Sequence, residues 1–256
     1  MDMPHPARMH DYWLGGGHNF AADRALAEKI LELMPGMEDV SRLHQSFLRR
    51  AALFIVDAGV RQFLDIGSGI PTVGNLHDIV QQADQECRVV YVDSDPVSVA
   101  HSELILDEIK GTAMIQADIR DIADILNTEP ARRLLDLTQP VGLIAPMLHF
   151  IPDAWDPDCI IAGYRDRLPS GSWVALLHVT ADAGTPGLAE AVEAYGSSRF
   201  QIFPRRRDEV LRLCDGFELV EPGLVGFGEW RPEGPGDCSL HPGVNSVIYA
   251  AVGRKP

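Results

Sequence analysis

The sequence predicts an α/β fold: a doubly wound, mostly parallel seven-stranded sheet with helices on both faces, behind a helical N-terminal extension. Three observations carry this. From residue 61 onward, short β-rich apolar runs alternate with helix-length amphipathic stretches, the pattern of a parallel sheet covered on both sides. The first run leads into Gly67-Ser68-Gly69, where two glycines permit a tight turn and a close approach to backbone. Before residue 61 the alternation is missing, and two helical stretches, 21–33 and 40–58, are separated by Pro35-Gly36.

The elements follow in order. Runs at 63–66, 89–92, 113–115, 141–145 and 173–177 read as five buried strands, because continuous apolar runs suit strands covered on both faces. After the first, Val73, Leu76, Ile79, Val80 and Ala83 recur at helical spacing, so a helix is expected directly behind the glycine loop. Asp95-Pro96 and Asp156-Pro157 read as helix starts, aspartate as cap and proline in the first turn. Runs at 217–219 and 247–252, joined by a Pro/Gly-rich stretch from 226 to 243, read as two further strands, the last antiparallel. With 256 residues, 46% of them hydrophobic, one substantial core is affordable, since a chain this long buries roughly 70–75% of its unfolded surface. The expectation is one domain over 1–256, with 1–60 as a helical cap and 61–256 as the core.

Composition excludes several classes of function. A net charge of −15 repels phosphates, and the one basic run is Arg205-Arg206-Arg207, so no nucleic-acid partner is expected. Cys87, Cys159, Cys214 and Cys238 stand singly, without CxxC or Cys/His ligand spacing. That argues against a zinc site and a disulfide framework, so no metal is expected and a reducing cytoplasm fits best. The opening Met1-Asp2-Met3-Pro4-His5-Pro6 lacks a basic start and an apolar run, and no stretch approaches the ~20 apolar residues of a membrane span.

In a doubly wound sheet, ligands bind outside the carboxyl ends of the strands. After the first strand comes Asp65-Ile66-Gly67-Ser68-Gly69-Ile70-Pro71-Thr72; a dinucleotide fingerprint would want a third glycine where Thr72 stands. A nicotinamide oxidoreductase is disfavoured accordingly. Asp65 would oppose a pyrophosphate but suits a ligand carrying an ammonium group. After the second strand, Asp93-Ser94 places a carboxylate where it can accept from both ribose hydroxyls, while Asp95 reads as a helix cap. After the third, Asp118 and Ile119 offer an acceptor for an adenine amino group and an apolar face for its ring; Asp118 equally suits capping a helix through Ile122, Ile125 and Leu126. The three acids together match one adenosyl amino acid, S-adenosylmethionine. The fourth strand ends in Pro146-Met147-Leu148-His149-Phe150, with soft apolar groups where a sulfonium would lie. His149 is the candidate to remove a substrate proton, against a purely structural role, and His178 comes next.

The chain resembles the S-adenosyl methyltransferase family, whose members share an N-terminal A-R-x-x-D-Y-x-L-G-G motif followed by N-F-A-A-D-R. Here these stand as Ala7-Arg8-Met9-His10-Asp11-Tyr12-Trp13-Leu14-Gly15-Gly16 and Asn19-Phe20-Ala21-Ala22-Asp23-Arg24. The resemblance continues through Gln62-Phe63-Leu64-Asp65-Ile66-Gly67, Val90-Tyr91-Val92-Asp93 and Leu148-His149-Phe150-Ile151-Pro152-Asp153, covering nearly the whole chain. It implies the Rossmann-like class I methyltransferase fold and S-adenosylmethionine as cofactor, and names no acceptor. Gly17 stands where many relatives carry lysine, and His44-Gln45 where they carry Asn-Arg. Gly15 to Gly17 suggest a hinge letting Tyr12 and Trp13 close over the cofactor; the alternative is a loop between helices with both aromatics in the core. The expected function is methyl transfer to a small molecule, and the alternative is a non-catalytic sensor of S-adenosylmethionine or S-adenosylhomocysteine.

Overall fold

The computed structural model describes residues 3–71 and 74–256. Three helices lead: α1 (Pro6–Trp13), α2 (Ala21–Leu33) and α3 (Met37–Asp57). Then strands and helices alternate: β1 (Gln62–Ile66), α4 (Leu76–Ala83), β2 (Arg88–Asp93), α5 (Pro96–Leu106) and β3 (Thr112–Gln116). They continue with α6 (Ile122–Asn127), α7 (Glu129–Leu134), β4 (Gly142–Ala145), α8 (Pro157–Arg167) and β5 (Trp173–Val179). The remainder is α9 (Leu188–Tyr195), α10 (Arg207–Leu213), β6 (Glu218–Leu219), β7 (Val225–Gly226) and β8 (Ile248–Arg254).

The sheet runs β3-β2-β1-β4-β5-β8-β6, with β7 pairing β8. β1 to β5 are parallel, and β8 runs antiparallel to β5 and β6. Strand order reverses between β1 and β4, which opens a crevice at their carboxyl ends. The sequence leads one to expect seven strands, and the described residues form eight. The addition, β7, is two residues long inside the Pro/Gly-rich connection, too short to show a period. Its Gly226 is required, because a Cβ there would lie 2.3 Å from the Asn245 carbonyl oxygen.

Alternation along the strands feeds two cores. Phe63, Ile144, Ala175 and Leu177 face α3, where Phe47, Ala51 and Ile55 pack against them. Leu64, Leu143, Val174 and Leu176 point the other way, into the layer holding Ile125, Ile161 and Val210. Both faces are therefore covered, as continuous apolar runs require. Asp95 and Asp156 cap α5 and α8, accepting from the amides of Ser98 and Cys159. The helix behind the glycine loop begins at Leu76; Val73, expected in it, lies outside the described residues. Among the described residues no helix is long and apolar enough to cross a membrane.

The N-terminal motifs hold each other in place. The fully buried Asp23 accepts from the His5 amide, Arg8 Nε and the Phe20 amide, each at 2.8 Å. Arg8 Nη1 also lies 3.7 Å from Asp95 Oδ2 at the start of α5. Asp11, likewise buried, accepts from the His18 amide and Asn19 Nδ2. A Cβ on Gly16 would sit 2.0 Å from Asp11 Oδ1, so glycine is needed for this turn to close. These ion pairs fix α1 against α2 and lay its first turn across the crevice.

Removing one partner of a buried pair leaves the other charge uncompensated. Asp23→Ala is therefore expected to destabilise the protein by about 3–5 kcal/mol, measured by denaturant unfolding; a loss under about 1 kcal/mol would show the pair to be dispensable.

Candidate active site

Three cavities meet in the crevice, and Met147 lines all of them. The first opens beyond β1, β2 and β3 and is walled by Gly67, Asp93, Ser94, Asp118, Ile119 and Met147. Strand geometry explains this gathering, because parallel neighbours in register end together: Ile66 pairs with Val92, and Asp93 with Gln116. Gly67 and Gly69 have φ of +74° and +66°, the left-handed region where side chains are strained. A Cβ on Gly69 would lie 3.1 Å from the Ala7 Cβ, so the loop also admits α1.

Asp93 organises the loop. Its carboxylate accepts from the Gly69 amide and the Asp95 amide, both at 2.8 Å. Burial raises its pKa, and those amides offset part of the rise. Each oxygen keeps a further lone pair for a hydroxyl. Asp118 is held by Arg120 through Nε at 2.9 Å and Nη2 at 2.7 Å, and this pairing lowers its pKa. It does not cap the following helix; Asp121 is the N-cap of α6. Arg120 in turn stacks 3.8 Å over Trp155, an exposed ring at the mouth of this cavity.

The second cavity lies on the far side of the glycine loop, walled by Asp65, Ser68, Gly69, Tyr91, His44 and Met147. Asp65 is buried, and its Oδ1 has no hydrogen-bond partner among the described residues. Burial, reinforced by the charge of Asp93, pushes its pKa up to about 8. A buried, unpaired acceptor is costly, and a ligand ammonium would satisfy it. The residues present thus fit S-adenosylmethionine: Asp65 for the ammonium, Asp93 for the ribose, and Ile119 beside Asp118 for the base.

The third cavity is apolar, enclosed by Trp13, Met34, Met37, Phe150, Tyr195 and Ile248 among others, with His10, His44 and His149 as its main polar groups. His149 Nδ1 is buried without a partner among the described residues. Burial, with His178, His44 and Arg205 adding to it, holds the His149 pKa well below the usual histidine value. His178 Nε2 lies 2.8 Å from Arg205 Nη1, and its Nδ1 lies 2.9 Å from the Val179 carbonyl oxygen. It is therefore spoken for.

Of the residues singled out from sequence, Gly67, Gly69, Asp93, Ser94, Asp118, Ile119 and Met147 line the first cavity, Asp65 the second and His149 the third. Thr72 lies outside the described residues. Tyr12 requires correction: it lines none of the three cavities, and its hydroxyl turns away to donate to Glu28 at 3.1 Å. Trp13 sits in the core, donating to the Ala27 carbonyl, and presents its ring to the third cavity. The crevice is covered by His5, Pro6 and Ala7, which sequence reasoning missed. His5 Nδ1 accepts from the Ala7 amide, so in the neutral ring Nε2 carries the proton; it lies 3.9 Å from Asp95 Oδ1 and has no hydrogen-bond partner among the described residues.

A sheet of this order, with a carboxyl group at each of three successive strand ends and a glycine turn between them, defines a class I methyltransferase. The model of the S-adenosyl methyltransferase family matches residues 1–256. A DUF574 family protein from Streptomyces avermitilis MA-4680 is 35% identical, with 99% of this chain and 98% of that one covered and a TM-score of 0.93. A protein from Thermobifida fusca YX, described provisionally as a methyltransferase, is 36% identical over 100% of this chain and 96% of its own, with a TM-score of 0.91. The plantazolicin methyltransferase BamL, solved with a desmethyl substrate analog and S-adenosylhomocysteine, shares the fold at 10% identity and a TM-score of 0.56, over 98% of this chain and 96% of its own. No curated protein matches. The chain belongs to the S-adenosyl methyltransferase family: it is a methyltransferase, and its cofactor is S-adenosylmethionine.

An ammonium binds Asp65 as a carboxylate, so below pH 8 binding must expel a proton. Affinity for S-adenosylhomocysteine is expected to fall as pH drops from 8 to 6, by up to about tenfold per unit, and Asp65→Asn should abolish that slope in calorimetric titrations. The sign for stability is opposite. A raised folded-state pKa means that, between about 4 and 8, the empty folded protein holds a proton which the unfolded chain has lost, so this group's contribution declines as pH rises. Asp65→Asn should accordingly raise the melting temperature of the cofactor-free protein at pH 8; an unchanged or lowered value would show that Asp65 is not desolvated.

Proposed function

We propose that this methyltransferase acts on an oxygen, nitrogen or carbon of a small molecule seated in the apolar third cavity. The observation carrying this reading is Met147, which walls the cofactor cavities and the apolar one alike, so an acceptor there lies next to the sulfur end of the cofactor. When bound, the cofactor supplies an electrophilic methyl group and leaves as S-adenosylhomocysteine. The protein's part is positioning, since bringing two reactants into an aligned near-attack geometry contributes roughly 7–11 kcal/mol.

Asp65 and Asp93 would fix the two ends of the cofactor, and α1 would exclude water through His5, Pro6 and Ala7. A neutral imidazole of the acceptor cavity would take the acceptor's proton, and His149, with Nδ1 free, is one such group. A sensor without turnover would have no need of the third cavity. Nor do the arginines at 205–207 offer a surface for nucleic acid: Arg205 is buried against His178, the Ile151 carbonyl and Asp153, and Arg206 lies near Asp208 and Glu209. Four free cysteines, two of them buried, support a cytoplasmic setting.

Asp93→Ala is expected to weaken S-adenosylhomocysteine binding at least tenfold, equivalent to about 1.4 kcal/mol; equal affinities by calorimetry would remove Asp93 from the site. His149→Ala is expected to lower turnover, followed as S-adenosylhomocysteine release from a metabolite extract, while leaving cofactor affinity within about twofold. A parental rate would end its candidacy.

A further inference from the structure

The wall of the third cavity restricts what can enter it. Among the described residues, no Asp, Glu, Lys or Arg lines this cavity, although the chain carries 22 basic and 37 acidic residues. A carboxylate, phosphate or ammonium group on the acceptor would be buried without a counter-ion, at a cost that excludes it. Three methionines, Met34, Met37 and Met147, give the wall an adaptable, polarizable surface. Trp13, Phe150 and Tyr195 add ring faces.

The polar groups are equally selective. His44, on α3, lines both the second and the third cavities. It is 6% exposed, and among the described residues neither of its buried ring nitrogens has a hydrogen-bond partner. Its ring packs edge-on to His10, with centroids 4.9 Å apart, and His10 lines the same two cavities. Burial keeps both rings neutral: the His44 pKa falls well below the usual value, with His10 lowering it further and the Pro146 carbonyl offsetting only part. His10, partly exposed by surface area yet enclosed by protein, is lowered to about 4. A neutral imidazole always keeps one nitrogen as an acceptor. His44 therefore holds an acceptor that no described residue fills, at the point where cofactor and acceptor spaces join, and a ligand O–H or N–H would fill it.

We propose that the methyl acceptor is an uncharged, largely apolar ring compound bearing a hydroxyl, and that His44 accepts the hydrogen bond of that hydroxyl beside the cofactor's sulfur. His149 and Ser41 then face the remainder of the molecule. This inference rests on the methyltransferase reading and narrows it to one acceptor class.

The test uses the full chain saturated with S-adenosylhomocysteine, and two probes of equal shape: 2-naphthol, neutral with a hydroxyl, and 2-naphthoate, an anion. Titration calorimetry should show saturable binding of 2-naphthol at least tenfold tighter than of 2-naphthoate. In His44→Leu that ratio should fall by about tenfold, the loss of one hydrogen bond to a buried acceptor, and in His44→Asn, which keeps an acceptor, most of it should return. The wild-type comparison stands even where a variant fails to fold. Equal or tighter binding of 2-naphthoate, or no saturable binding of 2-naphthol to protein that has taken up S-adenosylhomocysteine, overturns the acceptor class. A ratio unmoved by His44→Leu overturns the role of His44. Failure of S-adenosylhomocysteine to bind at all would overturn the methyltransferase reading, and the inference with it.

Discussion

Two carboxylates buried at adjacent strand tips set the terms for the rest of this molecule. Burial raises the cost of ionising both, and the charge of Asp93 raises that of Asp65 further. Asp93 is compensated internally by two amides, whereas Asp65 Oδ1 is left without a partner. Asp65 thus carries an electrostatic deficit, met by a bound proton in the empty protein below about pH 8 and by a ligand cation once that proton is expelled, where a sheet of this order binds its ligands. In a low-dielectric crevice such a charge acts more strongly than in water, so the deficit is useful only if water is kept out. Excluding water falls to α1, whose first turn crosses the glycine loop and needs the missing side chain of Gly69 to do so.

That division explains which parts of the site were legible in the sequence. Asp65, Gly67, Gly69, Asp93 and Asp118 could be placed because each follows an apolar run, and parallel strands in register end at one edge. Met147 and His149 followed from the same rule at the fourth strand. The contribution of α1 was harder to see. The N-terminal motif drew attention to its aromatic Tyr12, but on a helix the inward face is set by period: Ala7 and His10, three residues apart, share a face, and Tyr12, five residues from Ala7, points elsewhere. His44 was hidden by its surroundings, a polar residue in a helix whose buried face is otherwise dominated by Val40, Leu43, Phe47 and Ala51. Phe200 reaches the cofactor cavity from an irregular segment and Trp155 from a three-residue 3-10 turn, neither of which is long enough to show a period. The two-residue β7 was lost for the same reason.

The long N-terminal motif has a structural account that its residues alone did not disclose. Arg8 lies between Asp23 and Asp95, and so links the ARxxDY segment, the NFAADR segment and the cap of α5 in one ion cluster. Asp95 also receives Arg199 at 3.0 Å, which draws in the segment before α10 that carries Phe200. Buried charges of this kind are poor sources of net stability. Their value here is geometric: they specify one position for α1 over the crevice, which apolar packing alone would specify less sharply.

The two halves of the site therefore obey opposite electrostatic rules within a few side chains of each other. The cofactor half is anionic and made from the tips of β1, β2 and β3, shared by any sheet of this order. The half proposed for the acceptor is uncharged and made mostly from α1, α3, α9 and the ends of β5 and β8. Separating them in this way lets the acceptor pocket change without disturbing the cofactor, because the residues that would have to change lie outside the strand-tip constellation. Pro6, His10, His44, Met147 and Phe150 are the places where that separation fails, since each lines the apolar cavity and at least one cofactor cavity. A change at any of them has to satisfy a cationic neighbour on one side and an apolar one on the other. A neutral imidazole does both: it withholds a positive charge from the cofactor's sulfonium and still offers the acceptor a hydrogen-bonding nitrogen.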